Sequence, residues 1–159
     1  MTTTKARDFI RISTDGSCIG NPGPGAWAFV VVDEKESETL EVQSSRYAST
    51  TNQRMELSAV IAALEAFQDT DRPILVESDS QYVVKGITEW VPSWKARNWK
   101  TAARKPVKNA DLWQQLDTLA SDRDITWQWV KGHDGNANNE RADFLAYSMA
   151  SSEEVRCGS

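Results

Sequence analysis

The sequence predicts an α/β domain: a five-stranded mixed sheet, made of an antiparallel meander plus two parallel strands, with helices on both faces. Three observations predict it. Apolar and β-branched runs alternate with turn residues through the first third of the chain. The apolar period then changes from two to that of a helix at Thr50-Thr51-Asn52. Beyond that point short strands and amphipathic helices take turns, and a strand reached through a helix lies parallel to a neighbour. A chain of 159 residues suffices for one hydrophobic core without disulfides or a structural metal. The expected division is an N-terminal extension over 1–8, one domain over 9–150 and a flexible polar tail over 151–159.

Phe9 to Thr14 reads as the first strand, by alternation and β-branching, and Gly25 to Val32 as the second, a buried apolar run ending in three valines. A third strand, about Thr39 to Arg46, pairs with the second through the polar turn Asp33 to Glu38. Thr50-Thr51-Asn52 offers caps for a helix in which Leu57, Val60, Ile61, Leu64 and Phe67 recur at helical spacing, up to Asp69-Thr70-Asp71. Ile74 to Ser78 is a short strand ending at Asp79, and Ser80 can cap the helix after it. A further helix fits Asn109 to Ala120, with Leu112, Trp113, Leu116 and Leu119 facing inward. Ile125 to Val130 is the fifth strand, Gly132 to Asn138 a loop and Asn139 to Ala150 the closing helix.

Composition narrows the function. Two cysteines, Cys18 and Cys157, are too few for a secreted disulfide scaffold, and the first eight residues contain no apolar signal region, so a cytoplasmic protein is expected. The longest apolar run, Ala26 to Val32, is far too short to cross a bilayer. The formal net charge of -5 argues against a nucleic-acid partner until its distribution is considered. Between Lys85 and Lys108 stand seven basic residues against one acid, Glu89, a net of +6, whereas the remainder holds 11 basic and 22 acidic residues. A cationic element is mounted on an anionic body. A solvated helical face explains many basic runs, but Trp90, Trp94 and Trp99 are interleaved with this one, and tryptophans seldom decorate an idle surface.

Position selects four acids. Asp15 and Asp79 each follow a predicted strand, where open α/β sheets present ligand groups. Glu56 has Val60, Ala63 and Phe67 at i+4, i+7 and i+11, which sets it at the edge of its helix's apolar stripe. Asp143 is placed alike by Ala146, Tyr147 and Ala150. Taken singly each could be a turn, cap or flanking residue. Brought together, partly buried carboxylates repel by about 4 kcal/mol per pair at ~4 Å and an effective dielectric near ~20, so such a cluster needs cations. An all-oxygen donor set favours Mg2+, with Mn2+ as a substitute, over zinc. Two such ions about 4 Å apart suit an in-line phosphodiester displacement.

The run Thr14-Asp15-Gly16-Ser17-Cys18-Ile19-Gly20-Asn21-Pro22-Gly23-Pro24-Gly25 opens an ordered set of motifs. It continues with Thr51-Asn52-Gln53-Arg54-Met55-Glu56-Leu57, Ser78-Asp79-Ser80-Gln81-Tyr82-Val83, Trp99-Lys100-Thr101, Pro106-Val107-Lys108-Asn109, Trp129-Val130-Lys131-Gly132-His133 and Asn139-Glu140-Arg141-Ala142-Asp143. As a set it resembles the type 1 ribonuclease H family, closest in pattern to its bacterial members, over about residues 9 to 150. The resemblance implies a ribonuclease H-like fold and endonucleolytic, Mg2+-dependent cleavage of the RNA strand of RNA/DNA hybrids, giving 5'-phosphate and 3'-hydroxyl ends. It implies that Asp15 bridges two ions, that Glu56 and Asp79 complete the metal site on the leaving-group side, and that Asp143 holds the ion carrying the attacking water. It gives His133 a part in proton transfer or product departure.

The same resemblance sets Cys18, Asn21, Asn52 and Gln81 beside the RNA strand, where 2'-hydroxyls must be sensed. It gives Thr51 and Asn109 a DNA phosphate. Trp90 and Trp94, four apart, are expected to lie against deoxyribose, with Lys95 and Lys100 on the same DNA-strand surface; core packing is the competing role for the tryptophans, above all Trp99 and Trp113. A monomer with no obligate protein partner and no membrane role is expected.

Overall fold

Alternation along the central strands decides where the helices lie. In the computed structural model, which describes residues 9–33, 38–121, 123–131 and 137–151, the meander is β1 (Ile10–Cys18), β2 (Gly23–Asp33) and β3 (Glu38–Thr50). Ile10, Ile12, Trp27 and Phe29 bury one face against helix α1 (Asn52–Ala66), which contributes Met55, Leu57, Val60, Ile61 and Leu64. The intervening residues Ala26, Ala28 and Val30 point to the other face, as the two-residue period of a strand requires, and are fully buried there. That face is covered by α5 (Ala137–Ser151), packed on β1 and β2 through Ala142, Ala146 and Ala150. Alanine against alanine lets a helix sit close to the sheet. Tyr147, expected on the inner stripe, is instead 58% exposed, since that seat has room only for small side chains.

After α1, strand β4 (Ile74–Ser78) enters beside β1 and parallel to it, from Ile10↔Ile74 to Thr14↔Ser78. Strand β5 (Ile125–Trp129) adds parallel to β4, giving the order β3-β2-β1-β4-β5. This is the mixed sheet that the sequence predicts, with helices on both faces. Between β4 and β5 run α2 (Gln81–Lys85), a π-helical turn (Gly86–Trp90), α3 (Val91–Ala96) and α4 (Ala110–Ala120). A side chain at Gly86 would come within 2.0 Å of the Trp113 ring, so glycine is what lets this segment lie on the fully buried indole. Among the described residues no helix is long and apolar enough to cross a membrane.

Two boundaries differ from expectation in a way that bears on the site. β1 does not stop at Thr14, because Gly16, Ser17 and Cys18 keep pairing with Trp27, Ala26 and Gly25. Asp15 is therefore held mid-strand, opposite Ala28, rather than just past the strand's end. β3 likewise runs past Arg46 to Thr50, delivering the chain directly to the cap of α1.

Candidate active site

The ladder between β1 and β4 ends at Thr14↔Ser78, so Asp15 and Asp79 are the next residues on two adjacent parallel strands. Glu56 arrives from the second turn of α1. That helix starts where it does because the Thr51 hydroxyl accepts the Arg54 backbone N–H at 3.2 Å, an N-cap of the kind the sequence predicts. Its close seat on β1 depends on Gly16: a Cβ there would lie 2.4 Å from the Glu56 nitrogen and from the Met55 carbonyl carbon. The glycine after Asp15 is thus what admits the backbone carrying Glu56.

One carboxylate oxygen from each of Asp15, Glu56 and Asp79 lies within 4.8 Å of the others. Asp143 on α5 joins them through hydrogen-bonding contact with Asp15. Burial, then the neighbouring Asp143 and Asp79 carboxyls, push the Asp15 carboxyl up to about 10. Burial, with the Asp79 charge adding, pushes Glu56 up to about 7, a rise moderated by a hydrogen bond from Ser80. The Oδ2 atom of Asp15 is buried without a hydrogen-bond partner. An orphaned carboxylate oxygen among crowded acids fits a bound divalent cation: the donors are all oxygen and carry an excess of negative charge.

The surroundings of this nest contain residues that sequence reasoning missed. The Trp129 indole N–H donates to the Asp79 carbonyl at 3.0 Å and so fixes the backbone from which that carboxylate projects. Ser80, expected only as a cap, does cap α2 by accepting the Val83 N–H at 3.2 Å, and its hydroxyl also bonds Glu56. An apolar-polar pattern cannot show either contact, since each joins residues far apart in the chain. For Trp129 the position beside the fifth strand's end was the one available signal.

The remaining predicted residues fall into two groups. Asn21, Thr51 and Asn52 line a groove of about 450 Å³ with Pro22, Gln53 and Lys108. There the Asn52 backbone N–H donates to Asn21 Oδ1 at 2.9 Å, joining the glycine-rich turn to the start of α1. Cys18 turns its thiol toward the Gly23 and Thr50 carbonyls, at 3.4 and 3.3 Å. Gln81 is exposed at the first position of α2. On the basic segment, Trp90 and Trp94 are neighbours with ring centroids 5.9 Å apart, but only Trp94 also packs on the fully buried Trp113, at 5.5 Å. Lys95 is paired with Asp117 at 3.1 Å, while Lys100 is exposed where it bridges to Pro106. Asn109 stands at the start of α4. His133 lies outside the described residues.

The chain matches the family described as RNase H over residues 8–151. It is 57% identical over 140 residues to the ribonuclease H of Cupriavidus pinatubonensis, covering 85% of this chain and 90% of that protein. Among solved structures it is similar to LC9-RNase H1, a type 1 RNase H with the type 2 active-site motif, at 32% identity and a TM-score of 0.77, over 90% of this chain and 72% of that one. It is also similar to LC11-RNase H1 in complex with RNA/DNA hybrid, at 26% identity and a TM-score of 0.68, over 89% and 96% of the two chains. Sheet order, carboxylate cluster and similarity along nine-tenths of the chain agree: it belongs to the ribonuclease H family.

Proposed function

We propose that this chain hydrolyses the RNA strand of RNA/DNA hybrids endonucleolytically, using Mg2+ ions held by Asp15, Glu56, Asp79 and Asp143 and leaving 5'-phosphate and 3'-hydroxyl ends. The single observation that carries the reading is the buried, unpartnered Oδ2 of Asp15 within a carboxylate cluster in which burial pushes Asp15 and Glu56 up. Asp15 is central, with Glu56 and Asp79 on the leaving-group side and Asp143 on the side of the attacking water. Bound there, two divalent ions supply the charge that activates a water and stabilises the departing oxygen.

The chain's own residues select and align the hybrid. Asn21 and Asn52, joined by their hydrogen bond and followed one turn later by Glu56, set polar groups beside the RNA strand where 2'-hydroxyls distinguish it. Gln81 joins them from the start of α2. Thr51 and Asn109 take a DNA phosphate, and Trp90 with Trp94 forms an apolar wall for deoxyribose. Lys100 and the other exposed cations of the segment attract the backbone at longer range, which makes affinity strongly salt-dependent. His133 serves proton transfer or product departure. A monomer in the cytoplasm, with Mn2+ able to replace Mg2+, completes the reading.

The test is a substrate panel of labelled hybrid, duplex DNA, duplex RNA and single strands, with and without Mg2+, for the parent protein and for Asp15→Asn and Asp79→Asn. Cleavage confined to the RNA of the hybrid, dependent on the metal, is expected, with each variant slower by about a thousand-fold or more, beyond the ~10²–10³ of a lost oxyanion donor. Binding of hybrid without turnover, or near-parental cleavage by both variants, would overturn it.

A further inference from the structure

Between the carboxylate nest and the basic segment stands one side chain with both its hydroxyl and its ring engaged. We propose that Tyr82 is a positioning residue for the DNA strand, setting the direction of the Asn109 amide and the seat of the Trp90 ring at once. The proposal rests on the reading of Asn109 as a phosphate contact and Trp90 as a sugar contact.

Asn109 has φ 60° and ψ 30°, a left-handed conformation, and although it precedes α4 its side chain makes no capping bond. The amide is engaged elsewhere at both ends. Its Oδ1 accepts from Arg54 Nη1 at 3.2 Å, and its Nδ2 donates to the Tyr82 hydroxyl at 3.2 Å. Turning the amide over would set its NH2 against the guanidinium donors of Arg54, so the observed orientation, with Nδ2 toward the Tyr82 hydroxyl, is the one both partners satisfy. In that orientation the second hydrogen on Nδ2 is left for a ligand. Arg54 is itself clamped by two bonds to Asp111, at 3.1 and 2.9 Å, and its backbone N–H holds the Thr51 hydroxyl oxygen at 3.2 Å. The two residues assigned to one phosphate are therefore tied to the same arginine.

Tyr82 is anchored from below. Its hydroxyl accepts the indole N–H of the fully buried Trp113 at 3.1 Å, and the two rings pack at 5.2 Å. Its ring meets Trp90 edge-on at 5.9 Å. The hydroxyl thus serves the phosphate side and the ring serves the sugar side, which makes the two contributions separable by substitution.

The experiment compares Tyr82→Phe, Asn109→Ala and the double variant in steady-state cleavage of a hybrid, and repeats the set on hybrids carrying a neutral methylphosphonate at successive DNA-strand positions. Tyr82→Phe is expected to raise KM about five-fold, the worth of one hydrogen bond, with kcat unchanged. The effect should disappear in the Asn109→Ala background and on the one methylphosphonate hybrid to which Asn109→Ala is also insensitive. Arg54→Met frees the other end of the amide without disturbing the buried indole and should act in the same direction, which covers a Tyr82→Phe that folds poorly. A KM raised by Asn109→Ala but unmoved by Tyr82→Phe and Arg54→Met, or effects that simply add, would overturn the positioning role alone. No KM change in Asn109→Ala itself would instead remove the phosphate reading beneath it.

Discussion

The carboxylate nest and the basic tryptophan segment are opposites in how they hold charge. The nest is built on the sheet and a fifteen-residue helix, and its central acid is 5% exposed. The segment from Lys85 to Lys108 is assembled from a short helix, a π-helical turn, another short helix and a loop, with its cations in solvent. All four non-glycine residues of positive φ among the described residues, Asn98, Trp99, Arg104 and Asn109, fall between residues 98 and 109. The difference teaches a division of labour. Desolvation and mutual repulsion make the nest hungry for cations at short range, whereas the segment's charge stands in solvent, where it reaches further and fades with salt.

The largest effect that would test this contrast is the pH dependence of the metal-free protein. Asp15, at about 10, and Glu56, at about 7, bind protons in the folded state that an unfolded carboxyl releases near the ordinary value. Folded-state stability must then fall as pH rises from ~4 to ~7 through both groups, and further toward ~10 through Asp15 alone. Melting without divalent metal should drop by more than about 4 °C between about pH 5 and about pH 8, a large shift for a chain of this size. Saturating Mg2+ should restore it, and Asp15→Asn should flatten the slope while stabilising the metal-free fold. A metal-free melting temperature that rises over the same interval would contradict the desolvated nest.

On the segment the two tryptophans divide. Trp94 packs on Trp113 and at 6.4 Å on Trp99, and it borders the main core, whereas Trp90 leans on Tyr82 and Trp94 nearer the surface. Trp90→Ala should weaken hybrid binding about ten-fold, within the range of aromatic stacking on a nucleotide, with little change in melting. Trp94→Ala should lower affinity and melting temperature together. Equal losses of stability in both variants, read by thermal melting beside hybrid titration, would erase the distinction.

The contrast also separates what the sequence made legible from what it hid. Period and caps were enough for β4, for α1 beginning after Thr51 and for the α4 stripe of Trp113 and Leu116, because those signals are local. The acids were found through position beside apolar runs and through the motifs around them, and the structure brings Asp15, Glu56 and Asp79 together. The extension of β1 through Gly16-Ser17-Cys18 was hidden, since small residues carry no strand pattern and their pairing is supplied by β2. The π-helical turn was hidden too; it opens on Gly86, whose close approach to the Trp113 ring is a tertiary contact. Tyr82, Arg54 and Trp129 escaped because hydrogen bonds across 27 to 57 residues leave no trace in periodicity.

The smallest expected effect concerns Arg104, where backbone strain and charge can be told apart. Its φ of 66° is left-handed, it is exposed, and its backbone N–H closes a turn on the Thr101 carbonyl at 2.8 Å. A branched-free but Cβ-bearing residue is strained there by about 1 kcal/mol, which glycine relieves, although glycine also adds freedom to the unfolded chain and returns part of the gain. Arg104→Gly should therefore raise the melting temperature by about 2 °C. It also removes one cation, so if the side chain neutralises a phosphate the slope of log affinity against log salt should become shallower by about one. Arg104→Ala keeps the strain and removes the same charge, so it should reproduce the salt effect without the stabilisation. A melting temperature unchanged by glycine, or lowered equally by both substitutions, would show that the turn is held by its hydrogen bonds at no conformational expense, and the segment would then be as relaxed as the sheet that carries the acids.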